Sequence, residues 1–96
     1  MLLLAVLATG PAHGYALSAE LRRRSSGLLV IVEGSLYPAL HRLEAAGSVV
    51  SEWEVGEGRR RRRYELTASG KGLLQEEIEA WRAFRACVDD VLEEIG

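Results

Sequence analysis

Residues 35–66 read SLYPALHRLEAAGSVVSEWEVGEGRRRRRYEL, a stretch whose apolar period changes partway along. In its first part Leu36, Leu40 and Leu43 recur at helical spacing as an inward stripe. Tyr37, His41 and Glu44 follow the same steps on an outward one, with Arg42 and Pro38 beside them. Ser35 is the expected N-cap of this helix. Pro38 then falls in its first turn, where a missing N–H removes no intrahelical bond. Gly47 ends the helix. From Val49 to Val55 and from Arg61 to Leu66 the residues alternate instead, as two strands joined by a turn around Gly56-Glu57-Gly58.

The hairpin carries five consecutive arginines, Arg59 to Arg63, in a chain whose formal net charge is only −2. Such a cluster suits a polyanion. Each guanidinium fork can donate two parallel hydrogen bonds to phosphate oxygens, and each contact releases condensed counterions from a nucleic acid. Taken alone, the run reads equally well as a solvated basic tip. If Tyr64 and Leu66 face the body, Arg62 shares their side, Arg61 and Arg63 share that of Glu65, and Arg59 and Arg60 lie nearest the tip. All five cannot reach one phosphate row, so about two or three contacts per subunit are expected, with a steep loss of affinity in salt.

Working outward, Met1 to Ala8 is an apolar run that Gly10-Pro11 interrupts. It lacks a basic leader and a convincing cleavage site, and it is too short to span a bilayer, so it reads as a core helix. A second helix begins near Gly14-Tyr15, puts Leu17 and Leu21 on one face, and ends with Arg22, Arg23 and Arg24 at the negative end of its dipole. Leu28 to Val32, rich in β-branched residues, is expected to be a buried strand and the first of a small sheet. Trp53 is expected to pack sheet against helix.

The last segment, Thr67 to Ile95, repeats Leu74, Ile78, Trp81, Arg85, Val88, Leu92 and Ile95 in steps of four and three, widened by Phe84 and Val91. So long a helix has more apolar face than a small domain can cover. Part of it is expected to pack on the first helix. The rest implies a partner, most simply a second copy in a twofold homodimer with Leu74, Ile78, Trp81, Val88, Leu92 and Ile95 at the interface. The order helix, helix, strand, helix, strand, turn, strand, helix is that of a winged helix-turn-helix. The fold class is mainly α with a small antiparallel β-sheet: residues 1–66 as a DNA-binding winged helix-turn-helix and 67–96 as a C-terminal dimerisation helix, together one compact unit.

Composition bounds the chemistry. Ninety-six residues with 48% apolar content make one small domain. Met1 to Gly72 holds ten basic and seven acidic residues, whereas Leu73 to Gly96 holds two basic and seven acidic, so the two parts suit different partners. Cys87 is the only cysteine, which excludes an internal disulfide and a cysteine-cluster zinc site and fits a reducing cytoplasm. His13 and His41 stand apart with no further ligand patterned beside them, so no metal is expected. No nucleophile and base grouping and no phosphate-cradling glycine loop is present, so neither catalysis nor a cofactor is expected.

Four blocks in register resemble the PadR-like transcriptional regulators, specifically the short subgroup with a single C-terminal helix. They are Gly10-Pro11-Ala12-His13-Gly14-Tyr15, Gly34-Ser35-Leu36-Tyr37-Pro38-Ala39-Leu40-His41-Arg42-Leu43-Glu44, Ser51-Glu52-Trp53, and Tyr64-Glu65-Leu66-Thr67 with Gly70. The chain departs from the pattern in a shortened start, in Ser48 where a larger apolar residue is common, and in Arg63 where a second tyrosine is frequent. The resemblance implies a cytoplasmic homodimer that binds operator DNA, usually as a repressor, with the third helix in the major groove and the wing along the backbone. On that reading Ser35, Tyr37, Pro38, His41 and Arg42 contact DNA from the helix, where Arg42 has the bidentate geometry to read guanine, and Arg59, Arg60, Arg61 and Arg62 contact it from the wing. The resemblance also implies a planar or apolar small-molecule effector stacked near Trp81 and Phe84; as bare sequence, that aromatic pair is interface packing. The rival from another class is a winged-helix protein-interaction module that dimerises through its last helix and does not bind DNA.

Overall fold

The computed structural model describes residues 1–95; Gly96, the last residue of the expected C-terminal segment, lies outside the described residues. The elements run α1 (Leu2–Leu7), β1 (Ala12–His13), α2 (Gly14–Arg24), α3 (Glu33–Ala45), β2 (Val49–Gly56), β3 (Arg59–Leu66) and α4 (Ala68–Glu93). The sheet is antiparallel in the order β1-β3-β2. The fold is the winged helix-turn-helix expected, mainly helical, with the wing formed by β2 and β3.

The core explains the arrangement of these short elements. Leu3, Leu4, Val6 and Leu7 of α1 meet Leu17 and Leu21 of α2 and Leu36 and Leu40 of α3. Val49, Tyr64 and Leu66 close the cluster from the sheet, and Leu74 closes it from α4. Burial pushes the Tyr64 hydroxyl pKa upward, which keeps it neutral among these apolar neighbours. The inward leucine stripe of α3 is as expected, with Leu43 partly buried beside it.

Three local expectations need correction. Leu28 to Val32 forms no strand: Leu28 is 87% exposed and Val30 57%, and only Ile31 packs on the core. The third place in the sheet is taken instead by Ala12–His13, which pairs with Tyr64 and Arg63 along the free edge of β3. The apolar run stays a loop, tied back by the Leu29 N–H donating to Ser25 Oγ.

The second correction is the start of α3, which begins at Glu33 with Val32 as N-cap, so Ser35 is its third residue rather than its cap. Ser35 and Leu36 both donate their N–H groups to the Val32 carbonyl. Pro38 therefore lies inside the helix and offers no N–H to the Gly34 carbonyl. Burial of Leu36 and Leu40 offsets that loss, and Glu33 suits the positive end of the dipole. The third is Trp53, which is 53% exposed on the wing rather than packed under a helix.

The wing turns through Glu57 and Gly58, at φ 51° and 75°, with Gly56 opposite Arg59. Two left-handed residues in a two-residue loop match the twist of the paired strands, and Gly58 adopts that conformation without a Cβ penalty. β3 consequently begins two residues earlier than the alternation suggested and takes in Arg59 and Arg60.

The junction with α4 is held by Thr67. Its hydroxyl accepts from the Gly70 N–H as N-cap and donates to the Gly47 carbonyl at 2.6 Å, while its own N–H donates to the Ser48 carbonyl. Here α4 approaches the α3–β2 corner so closely that a Cβ on Gly70 would meet the Ser48 carbonyl oxygen and Leu66 Cδ1. Gly70→Ala should therefore destabilise the fold by about 2–4 kcal/mol, despite the higher helix propensity of alanine, because backbone must move. A thermal melt followed by circular dichroism should fall by at least about 10 °C; an unchanged melt would refute the close approach.

Candidate nucleic-acid interface

The outward face of α3 and the wing enclose a concavity of about 790 Å³ lined by Tyr37 and His41 from the helix, Trp53 and Arg59 to Arg62 from the hairpin, and Tyr15 from α2. Each wall follows from local sequence. On α3 the 3.6-residue period that buries Leu36 and Leu40 turns Tyr37, His41 and Arg42 outward. Tyr37 is expected either to contact DNA or to brace the helix against the wing. Its ring lies over the N-terminus of α2, where a Cβ on Gly14 would come within 2.9 Å of Tyr37 Cε1. His41 and Arg42 are exposed, as are Ser35 and Pro38 one to two turns earlier.

On the wing, the period of two sorts the arginines. Strand register sets Arg62 opposite Trp53 and Arg60 opposite Val55, on the face that also carries Tyr64 and Leu66. Arg59, Arg61 and Arg63 alternate onto the other face with Glu65. Arg60 and Arg62 place their guanidinium carbons 4.7 and 5.0 Å from the centroid of the Trp53 ring. Each such contact on an exposed ring is worth about 0.5–1 kcal/mol, enough to reduce side-chain wandering without neutralising charge.

The five arginines differ in their partners. Arg63 lies 3.7 Å from Glu54, whose other oxygen is 2.7 Å from His13 Nε2, so this side of the wing is tied to β1. Arg62 donates Nε–H to Ser51 Oγ at 2.7 Å, and Ser51 in turn donates to Glu44 of α3 at 2.6 Å. Arg59, Arg60 and Arg61 have no carboxylate within ion-pair distance among the described residues, and neither has Arg42. Three cations on the wing and one on α3 are thus available for an external anion. Arg62, expected among the phosphate contacts, lines the concavity but spends its Nε–H on Ser51 and lies 3.7 Å from Glu44.

Elsewhere, Arg23 and Arg24 bind Glu20 and are occupied. Hydrogen bonds from Arg23, then Arg24, pull the Glu20 carboxyl down to about 2, so it keeps its charge across the ordinary pH range. Arg22, the third arginine expected at the end of α2, has no carboxylate within ion-pair distance among the described residues. Among the described residues no three metal-ligating side chains cluster, and no helix is long and apolar enough to cross a membrane.

Beyond Ile78 the apolar face of α4 leaves the body. Trp81, Phe84, Val88, Val91, Leu92 and Ile95 are all exposed along it, with the Trp81 and Phe84 ring centroids 6.2 Å apart and tilted by 43°. Leu74 and Ile78, also expected at a dimer interface, pack on the core of this chain, Leu74 buried and Ile78 partly so. Sequence reasoning missed Glu44, Ser51 and Trp53 as parts of the site. The usable signal was the two-residue turn, which fixes the register that sets Trp53 against Arg62 and Ser51 against Tyr64.

Residues 3–76 match the sequence profile of the Transcriptional regulator PadR-like family. A transcriptional regulator of Mycobacterium tuberculosis is 46% identical over 68 residues, which are 71% of this chain and 61% of that protein. This chain thus spans under two thirds of that relative's length. Among solved structures, a transcriptional regulator from Clostridium thermocellum is similar with a TM-score of 0.87 and 30% identity, covering 93% of this chain and 87% of that one. Bacillus subtilis PadR in complex with operator DNA is similar in fold, with a TM-score of 0.71 and 24% identity over 78% of this chain and 42% of that one. With three quarters of its length in the family profile, the α3 and wing elements included, the chain belongs to the PadR-like family of transcriptional regulators.

Proposed function

We propose that this regulator binds operator DNA as a homodimer and represses transcription, with α3 in the major groove and the wing on the phosphate backbone. The observation that carries this reading is the set of four unpaired arginines, Arg42, Arg59, Arg60 and Arg61, on the α3 face and the wing beside it. Operator DNA is the ligand of the Bacillus subtilis PadR of similar fold. Ser35, Tyr37, Pro38, His41 and Arg42 face bases and adjoining phosphates, and Arg59, Arg60 and Arg61 face phosphates. The wing therefore sets affinity and the helix sets sequence preference. A cytoplasmic location accords with that role.

Fluorescence anisotropy with the DNA upstream of its own gene, at two salt concentrations, tests the proposal. Tight binding that weakens with a logarithmic slope of roughly −0.9 per contacted phosphate is expected. Absence of binding at both concentrations would favour the protein-interaction module instead. The exposed pair Trp81 and Phe84 supports release by a planar effector stacked between long helices. A planar cation should quench tryptophan emission, and a Trp81→Ala variant that quenches equally would remove that part of the proposal.

A further inference from the structure

Arg62 stands apart from the other wing arginines because three residues compete for it inside the chain. Its Nε–H is given to Ser51 Oγ, its terminal nitrogen lies 3.7 Å from Glu44 Oε2, and its guanidinium carbon sits over Trp53. Ser51 Oγ donates to the same Glu44 oxygen. Glu44 belongs to α3, three residues beyond His41 and two beyond Arg42, whereas Ser51 and Arg62 belong to the two strands of the wing. The relay is partly buried, so solvent screens it less than it screens a surface pair. It is a direct polar link, at side-chain level, between the helix that faces bases and the hairpin that faces phosphates.

We infer that Glu44, Ser51 and Arg62 form a specificity-determining brace: Arg62 is a positioning residue held off the DNA, and Glu44 sets the wing against α3. The inference rests on the DNA-binding reading above and deepens it. Phosphate contacts are blind to sequence, so a wing free to swing would meet the backbone of any duplex in several registers. A wing fixed to α3 meets phosphates only where α3 also meets its bases. Trp53 extends the brace, since Arg60 rests on the same ring and shares its orientation.

The test compares two duplexes, the DNA upstream of the protein's own gene and an unrelated sequence of equal length, by anisotropy over a salt series with the full chain. Glu44→Gln should release Arg62. Affinity for the unrelated duplex should rise severalfold, its salt slope should steepen by roughly 0.9 per subunit, and the ratio of specific to non-specific affinity should fall about tenfold. Ser51→Ala, which leaves every charge in place, should move all three in the same direction by less. Glu52→Gln removes a carboxylate from the opposite face of the wing and should leave the ratio unchanged. Arg62→Gln should keep the salt slope of the unaltered protein, while Arg61→Gln should flatten it.

The brace is overturned if Arg62→Gln flattens the slope as much as Arg61→Gln, for Arg62 would then be an ordinary phosphate contact. It is equally overturned if Glu44→Gln changes the ratio no more than Glu52→Gln. Should the unaltered protein bind neither duplex, the DNA-binding reading falls and the brace's role in specificity falls with it; the other two outcomes sink the brace alone.

Discussion

Replacement of Arg59, Arg60 and Arg61 together by glutamine should weaken operator binding by about 100-fold to 1000-fold at moderate salt. The magnitude follows from counting free cations. Each wing offers three guanidiniums without an internal carboxylate, of which about two or three can lie along one phosphate row, so a twofold dimer places about four to six on DNA. Removing them should flatten the logarithmic salt slope by about 4–5 units, at roughly 0.9 for each phosphate. Discrimination between operator and unrelated DNA should change far less, since α3 and the Glu44, Ser51 and Arg62 contacts are untouched. Arg22→Gln, made at the end of α2 away from the concavity, is the control and should change neither quantity. The melting temperature should be retained, because the three side chains are exposed and no core residue depends on them. A variant that kept the slope of the unaltered protein would show that the wing does not touch the backbone.

The sequence is legible wherever a period persists and obscure where two elements must meet. The leucine stripes of α2 and α3 and the alternation around Gly56-Glu57-Gly58 place those elements to within a few residues, because burial on one face enforces the period. Leu28 to Val32 misleads for the same reason. Composition says that those residues would make a good strand, but not whether a sheet edge is vacant, and Ala12–His13 occupies the edge that β3 offers. The early start of α3 was hidden by Pro38, which is easier to place in a first turn than in a helix interior. At the site, the arginine run announces a cationic wing but not which members are free. That depends on Glu54, which meets Arg63 only once the strands pair in register, and on Glu44, which meets Arg62 only when the hairpin packs beside α3. Charge counts along the chain treat the five arginines as equivalent, whereas the fold divides them into three without a carboxylate partner, Arg59, Arg60 and Arg61, and two that pair with carboxylates of the fold, Arg62 and Arg63.

Replacing Val88 and Leu92 together by aspartate should abolish dimerisation and, with it, most operator binding. The first turns of α4 are anchored, with Leu74 buried in the core and Ile78 packed against it, but the last three turns carry Val88, Val91, Leu92 and Ile95 exposed in line. A 26-residue helix is about 39 Å long, and only its first half has protein beneath it. An apolar stripe of that length standing free in water is the expected signature of a partner surface. Two carboxylates there would oppose burial against a second copy and add to the acidic residues Asp89, Asp90, Glu93 and Glu94 already on these turns. The winged-helix body should survive, because neither residue reaches its core, so far-ultraviolet circular dichroism should keep most of its helical signal. Sedimentation should report a monomer. Such a monomer keeps one α3 and one wing, so its salt slope should fall to about half that of the dimer and its operator affinity should drop by more than about 100-fold. A doubly substituted chain that still sedimented as a dimer would place the partner surface elsewhere, and one that was monomeric yet bound operator DNA as tightly as the unaltered protein would remove the second copy from recognition.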